Sequence, residues 1–206
     1  MSVRDKGIYL ASRSPRRRDL LKQIGVPFEL LLLREDLRRG ADVDETPLPD
    51  ESPGVYVLRM AGAKVTAAVR QIAVRGLPRK PVLAADTTVV FDDRIIGKPL
   101  NAGDATRILR ALSGREHQVL TAVALALREQ VETQISVSSV WFYELTDADI
   151  RRYVATGEPL DKAGAYAIQG RAGAFVTRIT GSYSGIMGLP LAETAELLKR
   201  FDIPLW

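Results

Sequence analysis

Apolar positions come in two rhythms along this chain. Residues 7–11 form a continuous apolar run of the length of a buried strand, and residues 28–33 read as a second strand. Between them Ser14 is placed to cap a helix, Pro15 suits its first position and Gly25 its C-terminal stop. Residues 34–51 are a polar connection carrying Asp42, Asp44 and Glu45, longer than simple wiring between elements requires. Ser52-Pro53 opens another helix, in which Tyr56, Met60, Ala63 and Ala67 fall on one face and predict its core-facing stripe.

Residues 81–85 and 87–91 are β-rich runs that Asp86 interrupts, and Asp92-Asp93 suits a turn before Ile95 and Ile96. From Asn101 a third helix shows Ala105, Ile108, Leu109 and Leu112 on one stripe and ends at Ser113-Gly114. Residues 118–127 and 131–143 read as an antiparallel hairpin. Thr146 with Asp149 has the form of a capping box for a short helix reaching Ala155, residues 174–179 make a further strand, and Pro190 starts a last helix to about Phe201. Alternating strands and helices with an intruding hairpin predict an α/β fold: a mixed twisted sheet flanked by helices, in a single domain over residues 1–206.

Composition narrows the chemistry. At 206 residues and 46% hydrophobic content, the chain has enough apolar material for one sizeable core. Its longest apolar stretches fall far short of the roughly 20 residues of a membrane helix, so no membrane association is expected. Arg4, Asp5 and Lys6 precede a run too short for a signal peptide, and with zero cysteines the expected compartment is the cytoplasm. With a single histidine and no thiolates, a metal site must be built from carboxylates, which favour a hard cation such as magnesium or manganese. The net charge of +4 suits an anionic partner but is too small to name one.

Three segments carry candidate chemistry. In Ser12-Arg13-Ser14-Pro15-Arg16-Arg17-Arg18 a strand feeds a helix whose unpaired N-terminal amides attract anions, while arginines offer forked donors to phosphate oxygens. On spacing alone the arginines spread over about 300° of helix and equally describe a solvated face. In Ala84-Ala85-Asp86-Thr87 a carboxylate sits among apolar residues, where a metal at a functional site, a turn to cap or an arginine partner would account for it. Glu45 is the candidate second carboxylate for a cation. Lys64 and Lys98 both offer charge to phosphates, and Lys98 is the stronger candidate because Gly97 and Pro99 fix its backbone. The third segment, residues 157–170, is dense in turn formers and includes Lys162 and Gln169, whose amide is of the kind that reads a base edge; it equally describes a surface turn. His117 invites a triad with Ser113 or Ser182, but no nucleophile-elbow sequence is present and a structural role is expected. Trp141 and Trp206 read as core or edge packing.

Leu10-Ala11-Ser12-Arg13-Ser14-Pro15-Arg16-Arg17, Ala85-Asp86-Thr87, Gly97-Lys98-Pro99, Leu112-Ser113-Gly114, Gly157-Glu158-Pro159, Asp161-Lys162-Ala163-Gly164-Ala165-Tyr166, Ile168-Gln169-Gly170 and Gly188-Leu189-Pro190-Leu191 together resemble the Maf family of nucleotide pyrophosphatases, in order from residue 8 to about 200. The resemblance implies a deep cleft similar to that of inosine triphosphate pyrophosphatases and hydrolysis between the α and β phosphates. It implies Asp86 as the catalytic group, and Arg16, Thr87 and Gln169 as base-selective positions of the branch acting on dTTP and UTP rather than on 7-methyl-GTP. It further implies a homodimer. Gly62 and Val65 around Lys64 depart from the family pattern, as does 184–187.

The expected site therefore comprises Asp86 as catalytic base; Glu45 and Asp86 as ligands of magnesium or manganese; and Ser12, Ser14, Arg16, Arg17, Thr87, Lys98, Lys162 and Gln169 around a nucleoside triphosphate. The rival from another class is a non-catalytic nucleotide or nucleic-acid-binding regulator, which the retained Asp86 disfavours.

Overall fold

Asp86 does not interrupt its strand. In the computed structural model, which describes residues 7–34 and 41–205, strand β3 runs unbroken over Val82–Phe91 and Asp86 sits in its middle. Before it come β1 (Ile8–Leu10), α1 (Pro15–Gln23), β2 (Phe28–Leu30) and α2 (Pro53–Val74). After it come β4 (Arg94–Ile96), α3 (Ala102–Leu112), β5 (Glu116–Leu127), β6 (Gln130–Phe142) and α4 (Asp147–Val154). Three 3-10 turns at Glu158–Asp161, Ala163–Ala165 and Arg171–Phe175 lead to β7 (Val176–Thr180), α5 (Tyr183–Met187) and α6 (Leu191–Arg200). The expected mixed α/β sheet is present. Part of the acidic connection, residues 35–40, and Trp206 lie outside the described residues.

The sheet runs β2-β1-β3-β5-β6-β7, with β4 also on β3. β2, β1 and β3 are parallel; β3, β5, β6 and β7 are successively antiparallel, as the hairpin requires. One detail of register positions the site. β1 pairs with β3 at Val82 and Leu83, and β4 rejoins the same edge only at Val89. Between those points residues 84–88 have β5 on one side and no strand on the other. The sheet is split there, beside the C-terminal end of β1, where open α/β sheets gather ligands.

Helices cover both faces. α2 lies on a floor of fully buried alanines, Ala84 and Ala122 among them, whose small side chains admit the helix closely. Its buried stripe is Val57, Met60, Ala61, Val65, Ala67, Ala68 and Ile72: Met60 and Ala67 are buried as expected, whereas Tyr56 and Ala63 are only partly buried and the stripe is centred slightly to one side of the expected one. The reason is the larger transfer free energy of Val57, Val65 and Ile72, roughly 1.5–3 kcal/mol for each large aliphatic side chain. That rotation places Lys64 on the sheet-facing side. On the opposite face Leu10, Leu21, Leu83, Leu125 and Leu197 pack between the sheet, α1 and α6, while α3 and α4 close the other end around Leu109, Phe142 and Ile150.

Other differences are local. α5, only five residues capped by Ser182, is too short to show a period in sequence. β2 stops at Leu30, and β7 begins at Val176 because Arg171–Phe175 turns instead. The Thr146–Asp149 capping box is formed as expected. Trp141 is half-buried near the sheet edge under the Arg178 guanidinium. Among the described residues no helix is long and apolar enough to cross a membrane.

Candidate active site

Lys64 reaches from α2 into the split of the sheet. Its Nζ donates to Asp86 Oδ1 at 2.6 Å and lies 2.7 Å from Glu45 Oε1, so one ammonium bridges the two carboxylates expected to bind a cation. The Lys64 and Asp86 side chains are 17% and 13% exposed, whereas Glu45 is 56% exposed and closes the cluster from the solvent side. Burial opposes charge on Lys64, but Asp86 and Glu45 outweigh it and hold its pKa above the ordinary value. Burial likewise opposes charge on Glu45, and Lys64, with Lys98 and Arg17 beyond it, turns the balance and keeps it below. Tyr56 donates to the Glu45 carbonyl, and burial, then Asp86 and Glu45, push its phenol up to about 12. Arg59 fixes the same loop through Thr46 O and both oxygens of Glu51.

Arg17 guards the other side. Its Nε donates to Gly188 O at 2.7 Å, Nη1 to Ser12 Oγ at 3.3 Å and Nη2 to Thr87 Oγ1 at 3.1 Å. Of five N–H donors these bonds use three, leaving two. Burial lowers its pKa, opposed by the Asp86 charge. Ser12 Oγ also accepts from Ser14 N, and Ser14 itself is the N-cap of α1, accepting from Arg17 N. Strand alternation then separates neighbours. Asp86, opposite Ala122, faces α2, while Thr87, opposite Thr121, faces α1 and bonds Arg17 and Thr121.

A family model described as "Maf-like protein" matches residues 7–201. The chain belongs to the Maf family. It is 57% identical over 199 residues to a protein of Nitrosomonas europaea, covering 97% of this chain and 96% of that one. It is 58% identical to one of Aromatoleum aromaticum (96% and 97% covered) and 53% identical to one of Nitrosospira multiformis over the whole of both chains. Each relative bears the name dTTP/UTP pyrophosphatase. Among solved structures, the Ham1 protein of Staphylococcus aureus superposes with a TM-score of 0.46 at 17% identity, over 95% of this chain and 97% of that one.

In this Maf chain the remaining expected residues lie on several separate segments. Lys98 is exposed, and its charge is felt at Glu45. The neighbouring Gly97 carbonyl accepts from Gly164 N at 3.1 Å, which ties the Lys98 segment to the turn that carries Lys162. Lys162 pairs with Asp161, whose carboxyl that bond holds low, and Arg16 adds to the same field. Gln169 is exposed in the next turn, and its amide has no hydrogen-bond partner among the described residues.

Lys64 was the residue with the ambiguous signal. A lysine four residues from Met60 and four from Ala68 lies along the buried stripe, where its charge needs a carboxylate partner. His117 is structural as expected: its Nε2 lies 2.8 Å from Tyr166 Oη inside a cluster with Phe142. Ser113 bonds the Leu145 backbone and Ser182 caps α5, so neither forms a triad. Among the described residues no group of three or more His, Asp or Glu side chains forms a ready metal cage. Two carboxylates converging on one cationic nitrogen nevertheless fit magnesium, which takes one or two carboxylates and completes its shell with substrate phosphate and water.

Proposed function

We propose that this protein hydrolyses nucleoside triphosphates, dTTP and UTP foremost, to the monophosphate and pyrophosphate. The observation that carries the reading is the Asp86–Lys64–Glu45 cluster in the sheet's split, beside the arginine-bearing start of α1. The names borne by relatives at 53–58% identity over nearly the whole chain support the same substrates.

Glu45 and Asp86 would hold a divalent cation, magnesium or manganese, which when bound supplies charge stabilisation at the phosphate oxygens and a more acidic water. Lys64 keeps both carboxylates converged before substrate arrives. Asp86 takes the proton of the water whose oxygen bonds to the α phosphorus, and the bond from that phosphorus to the bridging oxygen breaks. Negative charge then grows on the departing pyrophosphate. The two spare N–H groups of Arg17, with Lys98 and Lys162, meet it, and Ser12 and Ser14 line the same anion-attracting helix start. Arg16 and the unpartnered Gln169 amide read the base, whose wrong edge would leave them unsatisfied. Thr87 contributes by bracing Arg17.

Incubation with dTTP, UTP and 7-methyl-GTP plus Mg²⁺ or Mn²⁺, with pyrophosphate and phosphate separated, tests this. Pyrophosphate with dTMP and UMP is expected. Salt-sensitive DNA binding with no pyrophosphate release would instead establish a non-catalytic regulator.

A further inference from the structure

Gln169 sits in a turn closed by Gly170 N donating to Ala167 O at 3.0 Å. The two backbone amides that flank it at equal distance in sequence are both held from outside the turn. Ala167 N donates to Tyr153 Oη at 3.3 Å, and Arg171 N donates to Glu158 Oε2 at 3.3 Å. The two holders are joined to each other, because Tyr153 Oη donates to Glu158 Oε1 at 2.9 Å. Tyr153 is 4% exposed at the end of α4, and burial, then Glu158, raises its phenol, so it stays a neutral donor. Glu158 opens the following 3-10 turn, anchored by its own N–H on Thr156 Oγ1 at 3.2 Å.

The carboxylate is also pressed against the turn's backbone. A Cβ placed on Gly170 would lie 2.2 Å from Glu158 Oε1 and 2.7 Å from its carboxyl carbon. Gly170 has an ordinary negative φ of −100°, so it is this close approach, not backbone conformation, that calls for glycine. None of Tyr153, Glu158 or Gly170 belongs to the Asp86 cluster, yet together they fix both ends of the segment that presents the free Gln169 amide.

We propose that Tyr153 and Glu158 form a clamp that positions Gln169, and that base discrimination depends on it as much as on Gln169 itself. The inference rests on the reading of Gln169 as the base-reading group. A side chain can discriminate donors from acceptors on a base only if its amide is held at a fixed height and angle. An exposed glutamine with rotamer freedom gets that fixity from its backbone. The clamp supplies it through bonds to the residues two before and two after.

The test measures kcat and KM with Mg²⁺ for dTTP and for dCTP, whose pyrimidine edge exchanges donor and acceptor. The enzymes are the wild type, Tyr153→Phe, Glu158→Ala, Gly170→Ala, Glu158→Ala with Gly170→Ala, and Gln169→Glu. Each single clamp variant is expected to reduce the dTTP to dCTP ratio of kcat/KM by about tenfold, mainly through KM for dTTP, the scale of one mispositioned polar contact. Gly170→Ala should add little on top of Glu158→Ala, because the group it collides with is gone. A clamp that merely stabilised the fold would lower both substrates alike. If Gln169→Glu changes the ratio while the clamp variants leave it within about twofold, or lower both substrates equally, the clamp is overturned and the Gln169 reading stands. An unchanged ratio in Gln169→Glu overturns both.

Discussion

Lys64 Nζ lies 2.6 Å from Asp86 Oδ1, although the two residues come from a helix and a strand of opposite character. The helix turns an apolar stripe toward the sheet and includes one lysine in it; the strand turns the same way and includes one aspartate. Each buried charge makes the other tolerable. Asp86→Asn keeps the shape and one hydrogen bond to Lys64 but removes the base. Turnover of dTTP should fall by between about a hundredfold and ten-thousandfold, with circular dichroism unchanged. Near-normal turnover would sink the mechanism.

Lys64→Met should separate the lysine's structural part from its chemical one. Without the ammonium, Asp86 and Glu45 lose the cation nearest to both, at a cost of about 1–3 kcal/mol of stability. Thermal unfolding in chelator should show the loss, and added Mg²⁺ should recover much of it by binding the folded state. An equal loss with and without the cation would mean that the two carboxylates do not share an ion.

The pH dependence of stability should carry a histidine signature. Burial pushes His117 down to about 4, and it is the single histidine of the chain. Between about 6.5 and 4 the unfolded chain takes up a proton that the folded one refuses. Its contribution to stability is therefore intact above that window and declines as pH falls through it, by up to about 1.4 kcal/mol per pH unit. Denaturant titrations from pH 7 to 4 should show a shallower slope in His117→Gln; identical slopes would count against a neutral buried ring.

Gly164→Ala should disturb the turn that carries Lys162. Gly164 has φ +69°, and an added Cβ would lie 2.8 Å from Val89 Cγ2. Val89 is buried and stiff at its branched carbon, so it gives little. A loss of about 1–3 kcal/mol is expected. KM for dTTP should rise as well, because the Gly164 to Gly97 bond aligns Lys162 with Lys98. Unchanged stability and KM would show that the turn does not set that alignment.

The sequence was informative where local chemistry decides structure: the N-cap at Ser14, the capping box at Thr146, the hairpin and the helix of Asn101. It misled where tertiary partners decide. Asp86 reads as a strand breaker because its neutralising lysine lies 22 residues earlier, and only the folded helix brings it across. Spacing also cannot reveal that Arg17 ties α1 to Gly188 and Thr87 in distant segments. Likewise the contact between Glu158 and Gly170 leaves no local trace beyond a glycine and a glutamate in a turn-rich stretch.

β3 is laced to β5 by an uninterrupted register from Val82 opposite Ala126 to Val90 opposite Gln118. Asp86, the carboxylate of the proposed reaction, therefore stands on a fixed anvil. On the proposed reading, whatever yielding is needed to admit a bulky triphosphate and let two products go must come from outside this strand pair, the Glu45 loop and the Lys162 and Gln169 turns included. Turnover can then be retuned by changing those segments while the anvil stays as it is.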